Sequence, residues 1–266
     1  EEKFNEGVFK RLGDLGLLGV TVSPEYGGSG MDATAACIVH EELSAADPAL
    51  CLSYLAHSML FVNNLNQNGS HEQKSRFLPR TCEGTAIAGL CMSESGAGTD
   101  VLGMSTKAVA SPDGSSFKID GAKMWITNGT VDGISTGDAF LVYARTGPGR
   151  QDISMFLGMP GFELGQKITG KCGMRASMTA ELVFNGVKVG RDNLVGDENG
   201  ATLCMMRNLE IERVTLAAMG LGIARRCIEI MNAYGKDRKA FGSPINSFGQ
   251  VQRHIAESYA QYMAGE

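Results

Sequence analysis

Residues 115–129 read SSFKIDGAKMWITNG, and the period of this run decides how the chain is built. Its side chains follow the two-residue repeat of a β-strand, and Asn128-Gly129 closes it with a turn signal. Four more runs share that period: AIAGLCMSE from Ala86, AFLVYART from Ala139, ISMFLG from Ile153 and AELVFNGVKVG from Ala180. Turn signals stand at Pro112-Asp113-Gly114, Asp120-Gly121 and Asn185-Gly186. The spacing predicts an all-β block over 86–198, a small barrel or sandwich. Trp125, the single tryptophan of the 266 residues, lies in the first run. Two readings of it are open, a packed core indole or a wall of a functional cleft.

Both flanks change to the helical period. FNEGVFKRLGDLGLLGV spaces Phe4, Val8, Leu12 and Leu15 at three and four residues before PEYGGSG breaks the pattern. One long helix is expected from Asp32 to about His57, and another after Ser70, whose hydroxyl forms a capping box with Gln73. From about Gly200 the helical period returns, interrupted at KAFGSPINSFG. The expected fold class is therefore α+β and multidomain: an N-terminal helical domain over 1–85, a middle β domain over 86–198, and a C-terminal helical bundle over 199–266, incomplete in this chain. Segregated blocks disfavour a doubly wound sheet.

Composition excludes several functions. The formal charge of −5 and the lack of a basic run argue against nucleic acid. No stretch nears the roughly 20 consecutive apolar residues of a membrane span. The seven cysteines never form CxxC pairs and the four histidines show no HExxH spacing, so neither a metal site nor a disulfide framework is signalled. Such scattered cysteines read as small core residues in a reducing compartment.

Three stretches can carry chemistry. GLGIAR at 220–225 follows a helix and lacks a third glycine, so its glycines read as close helix packing and not as a dinucleotide loop. SESGAGTD at 93–100 follows a strand directly, so its open backbone N–H groups and the hydroxyls of Ser93 and Thr99 can meet an anionic or carbonyl-rich ligand; an ordinary glycine-rich loop is the alternative. On the last long helix, Glu212 shares a face with Met205, Leu209, Leu216, Met219 and Ile223, a carboxylate in an apolar stripe. Buried, it becomes a general base of raised pKa; neutralised by Arg213 or another cation at a domain interface, it is structural. Glu210, on another face, can pair with Arg207 and Arg213.

LCMSESGAGTDV, KMWITNG and LEIERVTLAAMGLGIARR together, with RKAFGSPI, resemble the acyl-CoA dehydrogenase family over essentially the whole chain. Within it, GLLGVTVSPEYGGSG, HEELSAADPALCLSYLAHS and the glutamate of LEIER are most similar to isovaleryl-type members. The resemblance implies an FAD enzyme that desaturates a short branched-chain acyl-CoA between its α and β carbons, isovaleryl-CoA to 3-methylcrotonyl-CoA in leucine catabolism, with Glu212 as base. It implies a flavin cradle of Leu90, Met92, Ser93, Gly98 and Thr99, with Trp125, Ile126 and Thr127 on the ring and Arg238 at the diphosphate of a neighbouring subunit. Thr99, Arg150, Gln151, Leu203, Glu210, Ile211 and Arg213 match substrate positions. A homotetramer built as a dimer of dimers, an electron-transfer flavoprotein as partner, and a mitochondrial matrix or bacterial cytoplasmic setting follow from the same likeness. A different acyl chain, or a truncated non-catalytic paralogue, are the alternatives. The chain departs from the family pattern at Glu210 (usually aspartate), Leu203 (often tyrosine) and Gly249 (often glutamine), and ends at QYMAGE after about two helices of an expected four. It therefore reads as a fragment with an exposed apolar face and weak flavin binding of its own.

Overall fold

The computed structural model describes residues 3–158 and 161–266. Helix α1 (Glu6–Asp14) is capped by the Asn5 side chain and buries Phe9 and Leu12, whereas Val8 and Leu15 stay exposed. Residues 32–57 do not form the single helix expected. They give α2 (Ala33–Ala46) and α3 (Pro48–Leu55), because Asp47 leaves the helical region and its carboxylate accepts from the N–H groups of Ala49 and Leu50, with Pro48 at the first helical position. The Asp-Pro pair was a readable break. α3 continues through a π-helical segment (Ala56–Asn63) into α4 (Asn64–Asn68), and α5 (His71–Cys82) opens with the Ser70–Gln73 capping box.

Eight strands follow: β1 (Ala88–Cys91), β2 (Lys107–Ala110), β3 (Ser116–Thr127), β4 (Ala139–Arg145), β5 (Ile153–Gly158), β6 (Glu163–Ile168), β7 (Thr179–Gly190) and β8 (Leu194–Val195). They form one mixed sheet in the order β6-β7-β3-β2-β4-β5-β8, with β1 added parallel to β4. Three strand-to-strand steps separate β3 from β5, roughly 14 Å in a flat sheet, yet the rings of Phe117 and Phe156 lie 4.9 Å apart. The sheet must therefore curl over its own core, in the manner of a barrel.

Two expected turns prove to be irregularities inside strands. Asp120-Gly121 sits mid-β3 and Asn185-Gly186 mid-β7, where the register between the two strands shifts. The Gly186 N–H donates to Asp120 Oδ1 at 2.7 Å, and a Cβ on Gly121 (φ 148°) would stand 2.6 Å from Thr106 Oγ1. The glycines let paired strands bend together instead of ending them. Pro112-Asp113-Gly114 does join β2 to β3.

Strands β4 and β5 are buried except for the half-buried Arg145 at the end of β4, because both faces are covered. Ala139, Leu141 and Tyr143 face a core shared with the N-terminal helices, while Phe140, Val142 and Ala144 face the interior of the curled sheet. Helix α6 (Ala201–Asp237) then lies along α2, and a short hairpin of β9 (Lys239–Ala240) and β10 (Ser243–Pro244) leads to α7 (Gly249–Gly265). Gly222 fits against the Glu41 carbonyl, and Arg225 bridges to Glu42 at 2.9 Å, so GLGIAR serves helix packing; Gly220 faces open space. On the other side α6 leaves Leu203, Met206 and Val214 exposed. Cys51, Cys82, Cys91 and Cys204 are core residues, whereas Cys172 and Cys227 are exposed, so the expectation of buried cysteines holds only in part. Among the described residues no helix is long and apolar enough to cross a membrane.

Candidate active site

The helical layer, the sheet and α6 meet around one cleft of about 200 Å³. Ala56 and Leu60 of the π-helical segment form one wall, and Leu90, Met92 and Ser93 at the end of β1 a second. Trp125, Ile126 and Thr127 close the third side from the end of β3, and Leu209 and Glu212 face it from α6. A larger hollow, about 400 Å³ beside Lys3, Asp47 and Ala176, touches none of these groups.

Buried polar bonds hold the three walls together. Asn128, just past β3, donates to the carbonyls of Ser53 and Ala88 at 3.0 Å, tying strand, helix and β1 at one point. Asn63 bonds Asn208 of α6 at 3.1 Å. The Ala88 N–H donates to His57 Nδ1, and burial keeps that imidazole neutral by lowering its pKa to about 4.

Trp125 is not a core residue. It is 52% exposed and its backbone has φ 60°, a left-handed conformation that bulky residues rarely adopt. Here the β3–β7 register shifts between Lys123 and Ile126, which sends the indole to the cleft while Ile126 stays in the sheet core. Strain of this kind costs about 1–3 kcal/mol and persists where a site needs it. Trp125→Gly is therefore expected to raise the thermal midpoint while stripping the cleft of its aromatic wall; a lower midpoint in a melting experiment would show that the indole is a packing residue after all.

Glu212 is half-buried, and its Oε2 has no hydrogen-bond partner. Burial raises its pKa above the ordinary 4.5, offset only in part by the nearby charge of Arg213. Arg213 is itself exposed and makes no ion pair with Glu212 among the described residues, so its charge acts on the carboxylate only from a distance. The apolar stripe is present at Met205, Leu209, Met219 and Ile223, but Leu216 is 46% exposed and lies outside it. The expected pairing of Glu210 with Arg207 and Arg213 is not formed; all three point to solvent.

The remaining candidates lie outside the cleft lining. Gly98 and Thr99 are exposed beyond the tight turn in which Glu94 and Ala97 exchange backbone hydrogen bonds. Arg150 reaches that loop, donating to both Asp100 oxygens at 2.6 and 2.7 Å, with Gln151 exposed beside it. Leu203, Glu210 and Arg213 are exposed on α6, while Ile211 packs against Val20, Ala36, Leu55 and Met59. Arg238 caps the C-terminal end of α6, about 39 Å along the axis from Glu212 at 1.5 Å per residue. One chain cannot bring both to the same ring.

Sequence reasoning missed Ala56 and Leu60, which carry no chemical signature. It also missed the Lys123–Glu94 pair, with Nζ to Oε1 at 2.9 Å and both side chains buried. A signal existed: strand alternation puts Lys123 in phase with the inward Phe117 and Ile119, and an inward lysine requires an acid.

Helices from both ends of the chain and the sheet between them enclose a cleft that presents a desolvated carboxylate, an exposed indole and two hydroxyls. The N-terminal, middle and C-terminal domains of acyl-CoA dehydrogenases match residues 1–85, 89–187 and 198–266. The mitochondrial isovaleryl-CoA dehydrogenase of Solanum tuberosum is 40% identical over 95% of this chain and 60% of its own length. The structure of butyryl-CoA dehydrogenase from Megasphaera elsdenii superposes with a TM-score of 0.92, at 32% identity, over 99% of this chain and 69% of the other. An acyl-CoA dehydrogenase complexed with FAD from Bacillus anthracis gives 0.91, at 30% identity, over 98% and 44%. The chain belongs to the acyl-CoA dehydrogenase family. It spans about 60% of the length of the curated relatives it matches.

Proposed function

We propose that the protein carries out α,β-desaturation of a short acyl-CoA with FAD, with Glu212 as the base. The observation that carries this is the placement of an unpartnered, half-buried carboxylate across one cleft from an exposed, strained tryptophan. The cleft suits a flavin: the indole offers an apolar face, Ser93 and Thr127 offer hydroxyls at its edge, and no side chain fills the space around Gly96 and Gly98. Its volume is below that of pockets enclosing whole cofactors, so the ring would enter while the remainder follows the 93–99 loop. When bound, FAD supplies an acceptor for the hydride leaving the β carbon.

The chain's own residues supply the rest. Glu212, with one carboxylate oxygen unpaired in apolar surroundings, takes the α proton of the thioester as the C=C bond forms. Leu60, Leu90 and Leu209 keep water from that carboxylate. Arg150, held by Asp100 at the outer edge, presents a cation where CoA phosphates would pass. Arg238, too distant to serve its own cleft, suits a neighbouring copy's dinucleotide, consistent with a homotetramer.

Isovaleryl-CoA is the substrate this reading favours, supported by the base on α6 and by the 40% identical potato enzyme; linear short chains are the nearer alternative, supported by the butyryl-CoA enzyme. Electrons would pass to an electron-transfer flavoprotein, in the mitochondrial matrix or a bacterial cytoplasm. A division at 85/86 and 198/199 assigns the cleft to all three domains. The exposed Leu203, Met206 and Val214 favour a second reading, a non-catalytic assembly subunit. Anaerobic addition of isovaleryl-, 2-methylbutyryl- and butyryl-CoA to FAD-loaded protein decides between them. The proposal expects flavin absorbance to bleach, with kcat/KM highest for isovaleryl-CoA; a flavin that binds and bleaches with no ester leaves the assembly reading.

A further inference from the structure

Lys123 and Glu94 lie beneath the cleft floor, 0% and 5% exposed, and the functional reading leaves them without a role. The ammonium has three contacts: Glu94 Oε1 at 2.9 Å, the Met92 carbonyl oxygen at 2.9 Å and the Met104 sulfur at 3.6 Å. Glu94 is satisfied in turn by the Ser105 N–H and hydroxyl, both at 2.7 Å, and the Thr106 N–H at 3.0 Å. Burial would push the Glu94 carboxyl up, but the Lys123 charge and these donors outweigh it and hold it at about 2; burial lowers the Lys123 pKa in turn, and the Glu94 carboxylate at 2.9 Å opposes that shift.

The Met92 carbonyl belongs to the same peptide unit as the Ser93 N–H. In a trans peptide the two point in opposite directions. With the oxygen turned to Lys123, the N–H points away from the ammonium, from a peptide whose two residues both line the cleft, and it has no acceptor among the described residues. The Ser93 carbonyl is fixed separately by the Met124 N–H at 2.9 Å, one residue from Trp125. An ammonium on the carbonyl polarises the unit and strengthens its N–H as a donor.

We propose that Lys123 is a positioning residue acting through the Met92–Ser93 peptide, which presents a polarised N–H to the bound flavin and favours its electron-rich, reduced form. The idea rests on the flavin reading above. Glu94 keeps the ammonium charged and directed at that carbonyl.

The test is the ratio of affinities for reduced and oxidised FAD, read from the midpoint potential of the bound flavin. The double variant Lys123→Met/Glu94→Gln removes the charges without leaving either unpaired, a replacement that buried pairs often tolerate. It should lower the ratio about tenfold, a potential about 30 mV more negative for a two-electron couple. Glu94→Gln alone removes the group that keeps the ammonium charged, so the buried amine gives up its proton and the ratio should fall in the same direction; it decides the matter if the double variant does not fold. Lys123→Arg keeps a cation on the Met92 carbonyl and should stay near the parent ratio, whereas loosened packing would lower the ratio in it as well; that result, or a ratio unchanged or raised in the charge-removing variants, overturns the proposal. Failure of the unaltered protein to bind FAD overturns the functional reading, and this proposal with it, before any variant is made.

Discussion

Glu212→Gln is expected to slow acyl-CoA-dependent flavin bleaching by about 10²–10⁴-fold, the range that a positioned general base contributes. Flavin binding should be retained, because the amide keeps the shape of the side chain. Glutamine cannot accept the α proton, so the loss falls on the chemical step and not on KM. Stopped-flow bleaching under anaerobic conditions measures it, and a variant within a few-fold of the parent would remove Glu212 from the mechanism. The pH dependence follows from the same burial. Since the folded protein raises the Glu212 pKa above 4.5, kcat/KM should fall with decreasing pH at a pH higher than an exposed glutamate would give. Stability runs the opposite way. A carboxyl of raised folded pKa stabilises the fold fully only below its unfolded pKa, and this contribution is lost as pH rises through the folded value. Glu212→Gln should therefore raise the melting temperature at neutral pH, with the gain vanishing under acid conditions where both side chains are neutral.

The helix-sheet-helix order was legible because hydrophobic period changes twice along the chain and each block is long enough to average out local exceptions. The exceptions have separate causes. Asp120-Gly121 has the composition of a hairpin turn, and only the partner strand, bulged at the matching place around Asn185-Gly186, reveals it as a bend. The break at Asp47-Pro48 was readable, but the apolar period runs straight through it. In the site, the Glu212 stripe was legible from one helix alone, since a carboxylate among methionines and leucines is anomalous on its own. Trp125 was not: alternation cannot tell an inward indole from one diverted by a register shift, so its direction came from the resemblance, and the structure turns it into the cleft. Ala56 and Leu60 were beyond sequence reasoning because apolar wall residues differ from core residues only in what faces them.

Gly220 and Gly222 stand two residues apart on α6, and alanine should have opposite effects at the two. In an open helical position alanine is favoured over glycine by about 0.8–1.0 kcal/mol, because glycine loses more backbone freedom on folding. Gly220 has nothing within 4 Å of where a Cβ would lie, so Gly220→Ala should raise the melting temperature by about 2–4 °C. At Gly222 the same Cβ would overlap the Glu41 carbonyl oxygen and Ser44 Oγ, and would stand 2.9 Å from the Glu41 carbonyl carbon. That carbonyl belongs to helix α2 and cannot turn aside, so α6 must move away from α2. Overpacking against backbone costs about 1–3 kcal/mol or more, exceeding the propensity gain, and Gly222→Ala should melt several degrees lower. Displacement of α6 also carries Glu212 with it, and a misplacement of about 1 Å can cost roughly 100-fold in rate. Thermal unfolding of both variants with bleaching of the FAD-loaded forms makes the comparison. Two alanines that both stabilise would show that α2 and α6 are not docked as closely as the Gly222 contact requires, and would remove the packing that aims Glu212 at the cleft.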